Sequence, residues 1–289
     1  ACACALAERG HAVDLFEAAG EIGGQFNMAS RIPGKEEYAE TVRYFARRIA
    51  VLGVRLHLGR RAGAADLAAG TYDHVVLATG VVPRVAGIPG QDHAKVLTYA
   101  DVLAAGNPVG DRVAIVGAGG IGVDVAQFLV EGARSRTSRD PALWRAEWGV
   151  ADPAEARGGL ARPAAPPPAR HVYLLQRSAG KPGAHLGRTT AWIHRATLQR
   201  RGVEAIAGVN YERIDDRGLH ISFGSSREGA RCLEVDHVVI CAGQEPLRDL
   251  LGPLQAAGLR VHLIGGADRA AELDAKRAVD QGVRLAADL

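Results

Sequence analysis

Arg112-Val113-Ala114-Ile115-Val116-Gly117-Ala118-Gly119-Gly120-Ile121-Gly122 is the stretch on which the fold turns. Five residues of strand character run without a break into G-x-G-x-x-G, and a helix is expected next, from Val123 to Val130. That context makes the glycines a dinucleotide-binding turn. Gly117 permits the tight turn, and Gly119 lets backbone approach a pyrophosphate. Gly122 lets the helix pack closely on the strand, and the helix N-terminus offers free N–H groups and a positive dipole.

The next strand is His171-Val172-Tyr173-Leu174-Leu175, and it ends in Gln176-Arg177-Ser178, with Lys181 beyond. An NAD-binding unit carries an acid at this strand end, and none is present. Arg177, Ser178 and Lys181 suit a 2′-phosphate, so the expected ligand is NADPH; the competing reading is a solvated loop with two cations. Gly117 and Arg177 are much further apart than the ~20 residues usual in such a unit. A Pro-rich insertion at 132–170, with Pro141, Pro153, Pro163 and Pro166-Pro167-Pro168, accounts for the excess.

Upstream, Val13-Asp14-Leu15-Phe16-Glu17 is a short strand ending in an acid, the position of a carboxylate that accepts from ribose hydroxyls. The glycine fingerprint that belongs to Glu17 should lie ~20 residues earlier, so the first strand of this unit is expected to precede Ala1. Buried strands end in Ala78-Thr79-Gly80 and Cys241-Ala242-Gly243, where the chain is expected to cross between two nucleotide domains. Val261-His262-Leu263-Ile264-Gly265-Gly266-Ala267-Asp268 is a strand, a glycine turn and an acid that can bond a ribityl hydroxyl. The following helix start, at Leu273-Asp274-Ala275, is expected to face a flavin ring.

The alternation of strands and helices predicts an α/β fold of two dinucleotide-binding, Rossmann-like domains with parallel sheets. One is expected to be discontinuous, at 1–108 plus 244–289, and to bind FAD without its first strand. The other, at 109–243, is inserted in it and binds NADPH. Helices are expected at 1–9, 36–52, 98–105, 189–200 and 270–287, and strands at 54–58, 72–80, 203–209, 219–223 and 235–241.

Composition narrows the rest. Of 289 residues, 47% are hydrophobic and 23% charged, which is globular and excludes disordered, collagen-like and disulfide-miniprotein classes. Gly accounts for 36 residues, as expected where backbone turns tightly or meets a ligand. A net charge of +3 without a basic block argues against nucleic acid. No apolar run reaches the ~20 residues of a membrane span. The four cysteines form no C-x-x-C and no metal-ligand spacing, which predicts free thiols, no metal and a cytoplasmic protein. His194 is read as a packing residue, Cys241 as an inert buried thiol, and Trp144 and Trp148 as packing for the insertion. Hydride transfer between two cofactors needs positioning, so no catalytic side chain is expected.

Longer strings carry a resemblance. They are Ile22-Gly23-Gly24-Gln25-Phe26-Asn27, Ile32-Pro33-Gly34-Lys35-Glu36-Glu37, Lys181-Pro182-Gly183, Trp192-Ile193-His194-Arg195, Val239 to Pro246 and Glu272-Leu273-Asp274-Ala275. With the order of motifs, they resemble the C-terminal part of bacterial NADPH-dependent 2,4-dienoyl-CoA reductases, fused flavoproteins of the old-yellow-enzyme lineage. The resemblance covers essentially the whole sequence. It implies that hydride passes from NADPH to FAD, and that electrons continue through a four-iron cluster to FMN. These last two lie on an N-terminal flavin barrel outside this sequence, where the dienoyl-CoA of fatty acid β-oxidation is reduced. FAD would be held by Glu17, Gly24, Gln25, Lys35, Ala62, Gly80, Gly266, Asp268, Leu273, Asp274 and Ala275. NADPH would be held by Gly117, Gly119, Gly120, Ile121, Gly122, Arg177, Ser178, Lys181, Trp192 and Gly243. The barrel is the implied partner, and FAD binding by these residues alone is expected to be weak. Alternatives are an enoate reductase or amine dehydrogenase of the same lineage, and a non-catalytic nucleotide-binding module. A thioredoxin-reductase-like dithiol enzyme is opposed by the lack of C-x-x-C.

Overall fold

The computed structural model describes every residue except 133–136, 185, 188 and 271–273. In chain order it contains α1 (Cys2–Glu8), β1 (Asp14–Phe16), α2 (Gln25–Ala29), α3 (Tyr38–Val51), β2 (Arg55–His57), α4 (Ala64–Ala69), β3 (Val75–Leu77) and β4 (Val81–Pro83). Then follow β5 (Val96–Thr98), a π-helical turn (Asp101–Ala105), β6 (Arg112–Val116), α5 (Gly120–Glu131), α6 (Pro141–Trp148), β7 (His171–Gln176) and α7 (Ala191–Arg200). The last third holds β8 (Glu204–Ala207), β9 (Val209–Asp215), β10 (Gly218–Phe223), β11 (Glu228–Glu234), β12 (His237–Ile240), β13 (Gln244–Pro246), α8 (Leu251–Ala256), β14 (Val261–Leu263) and α9 (Ala275–Asp288).

The chain divides into two units. One comprises Met28–Glu37 and Val85–Gly243. Its five-stranded sheet has the order β5-β12-β6-β7-β8, with every neighbouring pair parallel. Val113, Ala114, Ile115 and Val116 of the central β6 are fully buried, as a parallel strand covered on both faces must be. Val113 and Ile115 pack with Val123, Val125, Ala126, Leu129 and Val130 of α5. Ala114 and Val116 join Val209, Leu219, Ile221 and Leu233 of an antiparallel meander, β9-β10-β11. Each such apolar side chain contributes roughly 1.5–3 kcal/mol on burial.

The other unit comprises Ala1–Asn27, Tyr38–Arg84 and Gln244–Leu289. Here β1 pairs with β2 and β14 with β3, both parallel, while β13 pairs antiparallel with β4. Leu67, Val75, Leu77 and Leu254 form one core, and Cys4, Ile49 and Val54 another. α1 lies close to α9: a Cβ placed on Gly282 would meet Cys2 Cβ at 3.1 Å.

The boundary expected at residue 108 falls earlier. The helix expected at 98–105 begins only at Asp101, and Val96–Thr98 before it is a strand paired with β12, so residues 85–108 belong with the five-stranded sheet. Residues 28–37 go with them, because Ile32 is buried in the α5 core. The insertion holds more order than its prolines suggest. Asp140 caps α6 by accepting from the Ala142 and Leu143 amides, with Pro141 in the first turn. Glu147 and Arg201, 5% and 3% exposed at their side chains, form a buried ion pair at 2.9 Å between α6 and the end of α7. Arg200 lies over the Trp148 ring at 4.3 Å.

Candidate functional site

β6 delivers the chain to Gly117, whose N–H donates to the Leu175 carbonyl at 2.8 Å. Gly117 has φ of +109°, and a Cβ there would lie 2.6 Å from the Cys241 carbonyl oxygen. A Cβ on Gly122 would overlap the Gly117 carbonyl oxygen. Both are therefore glycine for steric reasons inside the fold. Gly119 differs: nothing lies within 4 Å of the position its Cβ would take, and Gly120 meets only Leu186, at 4.0 Å. Gly119 is also the N-cap of α5, and no side chain caps it. The first amides of α5 thus face open space with the helix dipole behind them, a cradle that fits a pyrophosphate. Ile121 turns inward against the α5 core.

β7 ends beside this turn. Arg177, Ser178 and Lys181 are exposed on the loop that follows. Trp192, the second residue of α7, is 59% exposed. Gly243, with φ of +102°, ends the passage from β12. Cys241 is buried, and burial, followed by the charge of Asp124, pushes its thiol pKa far up. It is a closed thiol, not an exposed nucleophile.

Sequence reasoning missed two neighbours. Tyr211, on β9, has its hydroxyl buried against the Gly117 backbone without a well-formed hydrogen bond. Burial pushes its pKa far up, opposed by the nearby charge of Arg177. Asp124, on α5, holds Lys35 Nζ at 2.6 and 2.7 Å through its two carboxylate oxygens. Lys35, grouped with the FAD residues in the sequence, therefore sits in the unit of the five-stranded sheet, where a carboxylate neutralises it. His194 is near this pair. Its pKa is lowered first by burial and then by the Lys35 charge, with Asp124 acting the other way.

The remaining FAD candidates lie in the other unit. Glu17 follows β1, and its Oε1 accepts from the Ala19 amide at 2.8 Å. Gly23 and Gly24 have φ of +126° and +50°, and Gln25 is exposed at the start of α2. Ala62 packs beside Phe16 in the core of β3 and α4. Two strand ends meet where Gly266 abuts Gly80: a Cβ on Gly266 would be 2.8 Å from Val81 Cγ1 and 3.1 Å from the Gly80 carbonyl carbon. Asp268 accepts from Gln281 Nε2 at 2.9 Å. Asp274 spends its carboxylate on capping α9, accepting from the Arg277 amide at 3.0 Å, and Ala275 is the first helical residue. Leu273 lies outside the described residues.

Among the described residues, no group of three or more His, Cys, Asp or Glu is placed to hold a metal ion. None of their helices is long and apolar enough to cross a membrane. All four cysteines are free thiols.

A parallel sheet with a glycine cradle at its carboxyl end, joined to a second unit of paired parallel strands, defines an α/β dinucleotide-binding protein. Residues 1–276 match the pyridine nucleotide-disulphide oxidoreductase family, and the chain belongs to it. Membership implies sites for FAD and NAD(P)H. A metal reductase of Desulforamulus reducens is 27% identical over 265 residues, covering 90% of this chain and 38% of the relative. The chain thus spans well under half the length of that protein. The structure of a 2-naphthoyl-CoA reductase aligns with 100% of the chain and 38% of its own length, with a TM-score of 0.79 and 23% identity. Thioredoxin reductase of T. acidophilum aligns over 100% of the chain and 92% of its own length, with a TM-score of 0.64 and 14% identity. At these identities the two structures establish the fold.

Proposed function

We propose that this chain is the NADPH-to-FAD electron-input module of an enzyme of the 2,4-dienoyl-CoA reductase type. The observation that carries the reading is the cationic loop after β7. Arg177, Ser178 and Lys181 stand exposed at the strand end where an NAD enzyme places an acid, in the same unit as the open cradle at Gly119. When bound, the two cofactors supply the chemistry, a hydride passing from NADPH to the flavin. The chain's residues bind and orient. Gly117 to Gly122 and the α5 dipole take the pyrophosphate of NADPH. Arg177, Ser178 and Lys181 take its 2′-phosphate, with Trp192 and Gly243 alongside.

On the FAD side, Glu17 accepts from ribose hydroxyls and Asp268 from a ribityl hydroxyl. Gly24, Gln25, Ala62, Gly80 and Gly266 supply close backbone, and Asp274 and Ala275 present the start of α9 to the flavin. Lys35, paired with Asp124, remains a candidate for the FAD phosphates. In the whole enzyme, electrons continue to an iron–sulfur cluster and FMN on a flavin barrel, in the cytoplasm.

Arg177→Ala tests the reading. A lost charge-assisted contact to a phosphate lowers NADPH affinity roughly 10- to 100-fold and leaves NADH affinity nearly unchanged. Equal losses for both nucleotides would overturn it.

A further inference from the structure

Gln176 ends β7 and is partly buried. Its side chain turns back over the loop that follows, and Nε2 donates to the Ser178 carbonyl at 3.1 Å and to the Gly180 carbonyl. Both partners are acceptors, so the amide orientation is fixed by chemistry: only the NH2 end can face them. The Ser178 carbonyl also accepts from the Gly208 amide at 3.0 Å. Gly208, with φ of +71°, comes close enough that a Cβ on it would lie 3.8 Å from Ala179 Cα. The backbone of 178–180 is therefore pinned from the β7 side and from the β8–β9 side. Arg177, Ser178 and Lys181 remain exposed around it, with no ion pair among the described residues.

We infer that Gln176 is a positioning residue for nucleotide choice, holding the 177–181 loop in the shape that receives a 2′-phosphate. The inference rests on the NADPH reading above and deepens it. An acid at this position has no N–H to donate. It would set lone pairs against the Ser178 and Gly180 carbonyls, open the loop, and present negative charge to a 2′-phosphate. An amide does the reverse: it brings no negative charge against a 2′-phosphate, and its NH2 closes the anion loop before ligand arrives, which lowers the ordering cost of binding. Gln176 thus acts on nucleotide choice through the loop it pins and need not touch the nucleotide.

The experiment is equilibrium binding of NADP+ and of NAD+ to the full-length protein by calorimetry, for wild type, Gln176→Met, Arg177→Ala and the double variant. Methionine keeps the volume and neutrality of Gln176 and drops both donors. The expected result is a roughly tenfold loss of NADP+ affinity in Gln176→Met, with NAD+ affinity within about twofold of wild type. In the Arg177→Ala background the same change should no longer move the NADP+/NAD+ ratio, which a general loosening of structure would not reproduce. Gln176→Glu, with its shape kept and its donors lost, should turn the preference toward NAD+. If Arg177→Ala collapses the ratio and Gln176→Met leaves it at the wild-type value, the inference is overturned and the NADPH reading stands. Absence of any NADP+ preference in the wild type overturns both.

Discussion

Lys35 Nζ contacts both carboxylate oxygens of Asp124, at 2.6 and 2.7 Å, and ties the 28–37 segment to α5 five residues after its N-cap. The two side chains are 27% and 21% exposed, so the pair is partly shielded and better than a surface ion pair. A double-mutant cycle with Lys35→Met and Asp124→Asn should give a coupling of about 1 kcal/mol. The two substitutions should also move His194 in opposite directions by NMR titration. Its proton affinity rises when the Lys35 charge is removed and falls when the Asp124 charge is removed. Shifts of the same sign would contradict this geometry.

The glycines of the turn divide into two kinds. Gly122→Ala forces a Cβ into the Gly117 carbonyl and should destabilise the fold by several kcal/mol, as overpacking against backbone does. Gly119→Ala meets nothing within 4 Å and should melt within a few degrees of wild type. Its new methyl group occupies the space where a pyrophosphate must approach, so NADP+ binding should weaken at least about tenfold. Thermal melts and calorimetry on the two variants separate the roles.

The pair Glu147 and Arg201 holds the insertion from the inside. Arg201 also donates to the Pro166 carbonyl at 3.2 Å, and Arg200 to the Glu147 carbonyl at 3.1 Å. Glu147→Ala leaves a buried guanidinium without its counter-charge and should cost about 3–5 kcal/mol in denaturant unfolding. Replacing both partners with methionine should recover most of that loss. A single variant as stable as wild type would show that the pair does not hold the insertion.

Two histidines make stability depend on pH with a defined sign. His74 Nδ1 and His262 Nε2 are 3.0 Å apart, a contact that needs one lone pair and one N–H. The pKa of His262 is lowered by burial and then by His74, and that of His194 by burial. The unfolded chain therefore binds protons that the folded chain refuses. Stability is fully present above the ordinary histidine value of ~6.5 and declines as pH falls through it toward the lowered folded values. His262→Gln should flatten part of that decline in urea titrations at successive pH values; a slope identical to wild type would refute the assignment.

What could be read from sequence was local. The β6 strand, its glycine turn and α5 are consecutive, so pattern and turn chemistry point to one structure at every residue from 112 to 130. The acid-ended β1 and the cationic end of β7 are legible for the same reason. Asp124 as the partner of Lys35 was not, because the two are 89 residues apart and no spacing rule joins them. The helix expected at 98–105 is present as the π-turn Asp101–Ala105, but β5 escaped because a three-residue strand carries too little periodicity to register. β11 is exposed over most of its length as an edge of the meander, so it lacks an apolar face to betray it. α6 was legible in principle: Asp140-Pro141 is a cap followed by a first-turn proline, a signal obscured by the prolines around it.

The proposed role of this chain depends on one step, the passage of electrons from NADPH into FAD. Its most direct test is anaerobic mixing of the flavin-loaded, full-length protein with NADPH or NADH while the oxidised-flavin absorbance is followed. NADPH is expected to bleach the flavin band, with one nucleotide oxidised per flavin, and NADH to need a much higher concentration. A flavin band untouched by NADPH, or bleached equally well by both nucleotides, would contradict it.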